Sequence, residues 1–143
     1  MTDRTYTGKP AADFNFKHIP YEKANQRATV TFNRPDVLNA VNGAMLIELN
    51  TAFKDASWDD SVGVLVATGE GDRAFCTGAD LGEQKQFIQR PRDYWKWMGK
   101  FIEARERLRI LGKPTLARLN GIVVGGGNEF NISCDLAVAA DDI

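Results

Sequence analysis

Alternating and continuous apolar runs predict two strands in the first half of the chain. Residues 28–32 (ATVTF) are β-branched and alternate in polarity, and the turn sequence of residues 33–36 (NRPD), in which proline fixes φ, ends them. Residues 62–67 (VGVLVA) form a nearly continuous apolar run, followed by a glycine-containing turn at residues 68–72. Such a run is typical of a strand covered on both faces, so both segments are expected to lie in a sheet.

Two amphipathic helices are predicted where apolar residues recur every three or four positions. The first covers about residues 40–56, and its stripe consists of Val41, Met45, Leu49, Ala52, Phe53 and Ala56. The second ends at Gly112 and Pro114, and its stripe consists of Tyr94, Trp97, Met98, Phe101, Ile102, Ala104, Leu108 and Leu111. We attribute these stripes, and with them Trp95 and Trp97, to packing rather than to a cofactor site or an aromatic substrate wall.

The last third of the chain continues the alternation of strands and helices. Residues 116–124 are predicted to be extended, with a turn at residues 120–121. A short helix is expected from residue 128 to about residue 134, followed by a buried strand at residues 135–140.

The chain divides into a polar leader and a core. Residues 1–26 are rich in charge and contain two prolines, which predicts a mobile segment that becomes a first strand near residues 18–22. No repeat or linker interrupts residues 27–143. Strands and helices alternate along this part, so we predict one α/β layered domain.

Composition excludes several classes of function. A chain of 143 residues with 43% hydrophobic residues is sized for one globular domain, and its net charge of −1 removes the electrostatic argument for nucleic acid or an anionic membrane surface. Two cysteines, Cys76 and Cys134, with the single His18 make no plausible zinc site. No apolar run has the length of a signal or a membrane span, so a reduced, cytoplasmic setting is expected.

The strongest candidate for chemistry is the segment of residues 125–129 (GGGNE), which lies between an apolar strand and a predicted helix. Residues without Cβ let a ligand approach the backbone, and the N–H groups at a helix start carry partial positive charge. Three glycines can equally serve to pack a helix tightly on a sheet. Glu129, a carboxylate one turn into a largely apolar helix, favours the functional interpretation.

A second loop, residues 74–81 (AFCTGADL), also follows an apolar strand and is rich in small residues. Cys76 is expected to be a buried hydrophobic residue rather than a nucleophile, since no histidine lies near it in sequence. Residues 69–74 formally match a dinucleotide fingerprint, but the helix that this fingerprint requires is not predicted there.

Three motifs in order resemble the enoyl-CoA hydratase/isomerase (crotonase) superfamily. They are residues 33–40 (NRPDVLNA), residues 74–80 (AFCTGAD) and residues 125–129 (GGGNE), the last followed by Cys134 and Asp135. The resemblance runs from about Arg27 to Ile143. It implies the N-terminal part of a crotonase-like spiral of ββα units rather than a Rossmann sheet.

The resemblance also implies a role for each matching residue. The backbone N–H groups of Ala79 and Gly126 would form an oxyanion hole for a thioester carbonyl, and Glu129 would be the acid/base. The implied substrate-binding residues, which would line the pantetheine path or lie near the adenine, are Val37, Leu38, Ala40, Thr77, Asp80, Leu81 and Gly125. No metal is implied, and coenzyme A enters as part of the substrate rather than as a cofactor.

The family's second catalytic glutamate and its C-terminal helices, which build trimers and often hexamers, have no counterpart in these residues. We therefore expect a fragment, or a chain that a second polypeptide completes, with an unpaired sheet edge in its absence. The complete protein would be a homo-trimer or a hexamer.

Several activities are compatible with these motifs. Hydration of a 2-enoyl-CoA is the first hypothesis, because Glu129 matches the carboxylate of the hydratases. The segments around Ala74 and Gly126 are also similar to 2-ketocyclohexanecarboxyl-CoA hydrolase, which cleaves a ring, and to dihydroxynaphthoyl-CoA synthase, which closes one. An isomerase of the same superfamily is a further alternative. A catalytically inactive scaffold subunit is the alternative from another class. A carboxylate on an otherwise buried helix is costly without a use or a partner, which argues against that alternative.

Overall fold

The computed structural model describes Tyr6 and residues 8–143; the rest of the predicted leader lies outside the described residues. The strands are β1 (Tyr21–Ala24), β2 (Arg27–Phe32), β3 (Val64–Gly69), β4 (Ala74–Cys76), β5 (Thr115–Leu119), β6 (Ile122–Val123) and β7 (Leu136–Ala139). The α-helices are α1 (Gly43–Trp58), α2 (Leu81–Gln86), α3 (Pro91–Arg109) and α4 (Gly126–Ser133). Short 3-10 helices cover Ala11–Phe14 and Pro35–Val37.

The strands form a five-stranded sheet in the order β1-β2-β3-β5-β7 and a two-stranded sheet of β4 and β6. β1 runs antiparallel to β2, and the other pairs of the large sheet are parallel. β1 and β2 both belong to the large sheet. In each of the next two strand pairs, the first strand (β3 or β5) joins the large sheet and the second (β4 or β6) joins the small sheet, and a helix follows the pair. The architecture is therefore a series of ββα units, as expected.

The core lies between the large sheet and the helices, where α1 packs against α3 and β2. The largest fully buried side chains include Phe32, Phe53, Phe75 and Phe130. Burying each of these aromatic side chains contributes about 1.5–3 kcal/mol to stability. No helix in the described part of the chain is long and apolar enough to cross a membrane.

The long predicted elements are confirmed. β2 and β3 lie at the two apolar runs, while α1 begins three residues later than expected, because the Asn42 side chain accepts a hydrogen bond from the Met45 N–H at 2.9 Å and caps the helix there. α3 begins at Pro91, a residue suited to the first helical turn. The helix at the third motif begins at Gly126, two residues earlier than predicted.

The loop predicted at residues 74–81 is only partly a loop. Ala74 and Cys76 lie in β4, which pairs with β6, and α2 begins at Leu81. A strand of three residues and a helix of six are too short to give a periodic signal. Their formation depends on tertiary pairing and on the Asp80 cap.

The prediction that the last strand is buried is wrong. All four residues of β7 are exposed, including Leu136 and Val138. β7 is the outermost strand of the large sheet and pairs only with β5. Within the described residues, β7 is therefore an exposed edge strand although its sequence is apolar.

The packing role predicted for the two tryptophans holds for one of them. Trp97 is buried and stacks on Phe101 with ring centroids 5.5 Å apart. Trp95 is exposed, and its ring lies 4.4 Å from the Arg92 guanidinium. Side chains two residues apart point to different faces of a helix, which explains why only one reaches the core.

The described part of the predicted leader is packed rather than free. The Glu48 carboxylate accepts hydrogen bonds from the backbone N–H groups of Lys17, His18 and Ile19 at 2.7–3.1 Å. Ile19 is buried in the core, and the first strand begins at Tyr21. Mobility is therefore the wrong expectation for this stretch, while the domain boundary at residue 26 stays a prediction.

Candidate active site

The two glycine-containing loops predicted to carry chemistry lie against each other. A Cβ added to Gly78 would lie 2.6 Å from the Gly126 nitrogen, and one added to Gly126 would lie 3.3 Å from the Gly78 Cα. Gly78 also has a φ of +91°, which L side chains rarely adopt. Glycine is therefore required at this contact between the second and third motifs.

Pairing with Val41 sets the direction of the Ala79 amide. The Val41 N–H donates to the Gly78 carbonyl at 2.7 Å, and the Asp80 N–H donates to the Val41 carbonyl at 2.9 Å. Ala79 is the partner of Val41 in this parallel bridge, so its own N–H points away from Val41. Within the described residues, the Ala79 N–H donates no hydrogen bond.

The Gly126 amide is the first of α4. The N–H groups of Gly127 and Asn128 donate to the carbonyls of Val124 and Gly125, but Gly126 donates to no group in the described part of the chain. A free amide at a helix start carries partial positive charge. Two unpaired donors, Ala79 and Gly126, thus come from the two loops in contact, and such a pair is suited to binding an oxyanion.

Asn39 holds the first motif against the second. It is fully buried, and its amide donates to the carbonyls of Glu70 at 3.1 Å and Ala74 at 2.8 Å. The Thr77 hydroxyl adds a hydrogen bond of 3.1 Å to the Leu38 carbonyl. All three motifs therefore meet in one region of the molecule.

Asp80 is already engaged with protein groups. Its carboxylate accepts from the N–H groups of Gly82 and Glu83 at the start of α2 and pairs with Arg34 at 2.8 Å. Partial burial opposes ionisation, but the Arg34 guanidinium and the two amides outweigh it and lower the Asp80 pKa. These contacts give Asp80 a structural role in holding its loop against Arg34 and the start of α2. The predicted contact of Asp80 with substrate stays a prediction.

Glu83 is a residue of this region that the sequence analysis missed. Its carboxylate accepts from the Gly43 N–H at 2.8 Å and from the Trp97 indole N–H at 2.7 Å, which joins α2 to α1 and α3. The available signal was the spacing of Asp80 and Glu83, which resembles a capping box. That spacing predicts a helix that has Asp80 as its N-cap and begins at Leu81.

Glu129 is less buried than its sequence context suggests. Its side chain is 44% exposed, and Oε2 accepts from Arg105 Nη1 at 2.9 Å. The argument that a buried carboxylate needs a function therefore loses its basis, because Glu129 is partly solvated and has an ionic partner. No sequence signal connects Arg105 with Glu129, since they lie on different helices.

The other predicted binding residues differ in accessibility. Val37 and Leu81 are exposed large hydrophobic side chains, whereas Ala40 is buried. Gly125 is exposed and has a φ of +53°. The structure thus leaves Val37, Leu81 and Gly125 accessible to a ligand and places Ala40 in the core.

An apolar cleft begins next to the Ala79 loop. It has a volume of about 510 Å³ between α2 and α3, with Leu81, Phe87, Ile88 and Tyr94 in its walls. A larger cleft of about 680 Å³ lies around Trp58, at the other end of α1, and contains none of the predicted site residues. Choosing the site by cleft volume alone would therefore select a region away from the three motifs.

The cysteines have no features of a nucleophile. Burial raises the pKa of the Cys76 thiol to about 12, although the Gly78 N–H opposes the shift, and burial raises that of Cys134 to about 12. Cys76 is the buried residue that the sequence predicted. No group of three or more potential metal ligands occurs among the described residues.

Comparison with solved structures identifies relatives of the same architecture. An enoyl-CoA hydratase from Bacillus anthracis shares 28% identity over 87% of this chain and 48% of its own length, with a TM-score of 0.82. An enoyl-CoA hydratase/isomerase from Xanthobacter autotrophicus shares 33% identity over 89% of this chain and 47% of its own, with a TM-score of 0.80. This chain thus spans about half the length of these relatives, and has the fold of the N-terminal part of the crotonase architecture.

A third similar structure is described as an enoyl-CoA hydratase subunit from Geobacillus kaustophilus. It shares 35% identity over 87% of this chain and 47% of its own length, with a TM-score of 0.76. The family model described as enoyl-CoA hydratase/isomerase matches residues 22–143, which includes all three motifs. The chain belongs to the enoyl-CoA hydratase/isomerase family.

Proposed function

We propose that this chain acts on acyl-CoA thioesters by stabilising an enolate, with the N–H groups of Ala79 and Gly126 bound to the thioester oxygen. The observation that carries the proposal is that these two amides are unpaired and belong to two loops in contact. Fixed donors at a developing negative charge lower the barrier, because they need no reorganisation during the reaction. Family membership supports the same substrate class.

Hydration of a 2-enoyl-CoA is the reaction we favour. The Glu129 carboxylate takes a proton from water, the resulting hydroxide adds to Cβ, and the negative charge moves to the thioester oxygen between the two amides. A second carboxylate, which has no counterpart in these residues, then gives its proton to Cα and completes the addition, and the proton held by Glu129 returns to solvent. Three of the similar structures carry the name of a hydratase, and the cleft beside Leu81 offers apolar room for the acyl chain.

Isotope exchange tests enolate formation directly. Wild-type protein incubated with butyryl-CoA in deuterated water is expected to incorporate deuterium at Cα, which mass spectrometry detects, and to hydrate crotonyl-CoA. A scaffold subunit would do neither. Glu129 has an ionic partner in Arg105, so the position of its carboxylate does not by itself require catalysis. The exchange experiment therefore decides between an enzyme and an inactive scaffold subunit.

Amide-to-ester replacement tests the oxyanion hole. A proline at residue 126 would delete the N–H, but its Cβ would lie 2.8 Å from Phe101 Cζ and displace that ring. Lactic acid at residue 79, or glycolic acid at residue 126, removes only the N–H. Each is expected to slow hydration and exchange about a hundredfold or more.

The matched control is the same replacement at Gly71, whose N–H also donates no hydrogen bond in the described part of the chain. That variant should retain full activity. An ester at residue 79 or 126 that also retains full activity would show that the assigned amides do not hold the oxygen.

The trimeric or hexameric state, completion by a second polypeptide and a cytoplasmic location stay predictions. Sedimentation of the purified protein with acyl-CoA present, together with intact mass, tests the first two, and fractionation of cells tests the third.

A further inference from the structure

Helix α3 supports α4 through two successive turns. The Phe101 ring packs beside Gly126, where an added Cβ would lie 2.8 Å from its Cζ, and meets the Phe130 ring edge-on at 5.3 Å between centroids. Arg105 follows four residues later on the same face of α3. Its guanidinium contacts Glu129 at 2.9 Å. One helix therefore contacts both the proposed oxyanion donor and the proposed acid/base on α4.

The contact leaves half of the Glu129 carboxylate free. Arg105 Nη1 donates to Oε2, while no described group donates to Oε1. A second guanidinium nitrogen of Arg105 lies 3.9 Å from a carboxylate oxygen of Glu106 on its own helix. Oε1 therefore has no donor among the described residues and remains available to water or substrate.

This ion pair differs from the others that the α3 arginines make among the described residues. Arg107 pairs with Glu103, and Arg109 pairs with Glu106, both within α3. Arg105 is the one that reaches another helix. Its side chain is 32% exposed and that of Glu129 44%, so the pair contributes little to stability. Orientation, rather than stabilisation, is the effect that such a contact can provide.

We propose that Arg105 is a positioning residue that orients the Glu129 carboxylate toward the acyl group. The inference rests on the proposed function, in which Glu129 is the acid/base. It assigns Arg105 no contact with substrate. A displacement of about 1 Å at a reacting group can slow a reaction a hundredfold. The loss of Arg105 therefore lowers kcat and leaves KM nearly unchanged, since binding of the CoA moiety does not involve it.

The test compares Arg105→Ala with Arg109→Met, which removes an ion pair confined to α3. Hydration of crotonyl-CoA by Arg105→Ala should show a kcat reduced about 10- to 100-fold at similar KM, and added guanidinium should restore part of the rate. Arg109→Met should keep the wild-type kcat. A purely structural role would lower stability in urea without rescue by guanidinium.

Glu129→Gln separates failure of this inference from failure of the proposed function. If Glu129→Gln loses activity and Arg105→Ala keeps it, the positioning role is overturned and the proposed function stands. If wild type is inactive, or Glu129→Gln is fully active, the assignment of Glu129 fails and the positioning role fails with it. Loss in both variants, with guanidinium rescue of Arg105→Ala alone, supports the proposal.

Discussion

The two ends of α1 are both capped by charged side chains from elsewhere in the chain, but they differ in what remains unpaired. At the N-terminus the Glu83 carboxylate accepts from the Gly43 N–H, and at the C-terminus the Lys113 ammonium donates to the carbonyls of Ala56 and Asp59. Both contacts satisfy free backbone groups and match the sign of the helix dipole.

The C-terminal end carries a closed polar network. Lys23 lies between Asp55 and Asp59, at 2.7 Å from each, and the Tyr21 hydroxyl donates to Asp55 at 2.6 Å. Each of these buried polar groups has a partner, as stability requires.

At the N-terminal end of α1, the carboxylates of Glu83 and Asp80 also have partners. The backbone amides of Ala79 and Gly126 in the neighbouring loops, however, have no acceptor in the described residues. The larger and more highly charged cluster is thus the structural one. The candidate site is distinguished by the donors that it leaves open.

The largest effect is expected from removing the cation at the closed end. Lys23→Met leaves two carboxylates facing each other without compensation, with the Asp59 side chain only 2% exposed. Loss of one partner of a buried pair typically costs about 3–5 kcal/mol. Urea unfolding of the variant measures this cost directly.

Lys54→Met is the matched control, because Lys54 is an exposed lysine on α1, the helix that carries Asp55. It should change the free energy of unfolding by less than about 0.5 kcal/mol. If both variants were equally stable, the network at this end would not be the structural one.

Acid should weaken the closed end next. Burial opposes ionisation of Asp59, but hydrogen bonds from Lys23 and Ser61 outweigh it, so the Asp59 pKa is lowered. Because the pKa is lower in the folded state, this stabilisation is complete above about pH 4 and is lost as the pH falls further. Burial disfavours the charged form of Lys23, but the hydrogen bonds that its ammonium donates to Asp55 and Asp59 outweigh burial and raise the Lys23 pKa, so its contribution to stability is lost only in strong alkali.

Between pH 6 and pH 3, wild type should lose on the order of 1 kcal/mol more than Asp59→Asn in the free energy of unfolding. Unfolding in urea at several pH values gives both curves. Parallel curves for the two proteins would mean that Asp59 ionises alike in the folded and unfolded states.

The smallest effect is expected at the cap of the other end. Asn42→Ala removes the hydrogen bond to the Met45 N–H and should cost about 1 kcal/mol of stability. Thr51→Ala, which removes a hydroxyl bonded to the Ile47 carbonyl on the exposed face, should be nearly neutral. Thermal unfolding of the two variants ranks them, and equal midpoints would contradict the capping role.

The sequence predicted the elements whose signals are local and long. The apolar runs gave β2 and β3, and the helical stripes gave α1 and α3, because each repeats one period over many residues. The three motifs also placed the glycines at Gly78 and Gly126 in the right loops. Their contact could be expected only through the resemblance, since no local pattern relates the two loops.

Features that depend on tertiary pairing were missed or mistaken. α2 forms because Asp80 caps it and Glu83 is held by other helices, and β7 is exposed although its sequence is apolar. The Arg105–Glu129 pair joins residues on two helices, so neither periodicity nor spacing contains it. The same holds for Lys23, which was assigned to a mobile leader.

The bridge between Val41 and Ala79 makes strand register decide which backbone amides of this loop stay unpaired. Val41 uses both its N–H and its carbonyl on the residues that flank Ala79, so alternate amides along this loop point in opposite directions. A slip of one position would turn the Ala79 amide toward Val41 and release a neighbour in its place. A single-residue insertion or deletion between Thr77 and Asp80 would therefore change which backbone N–H is left unpaired.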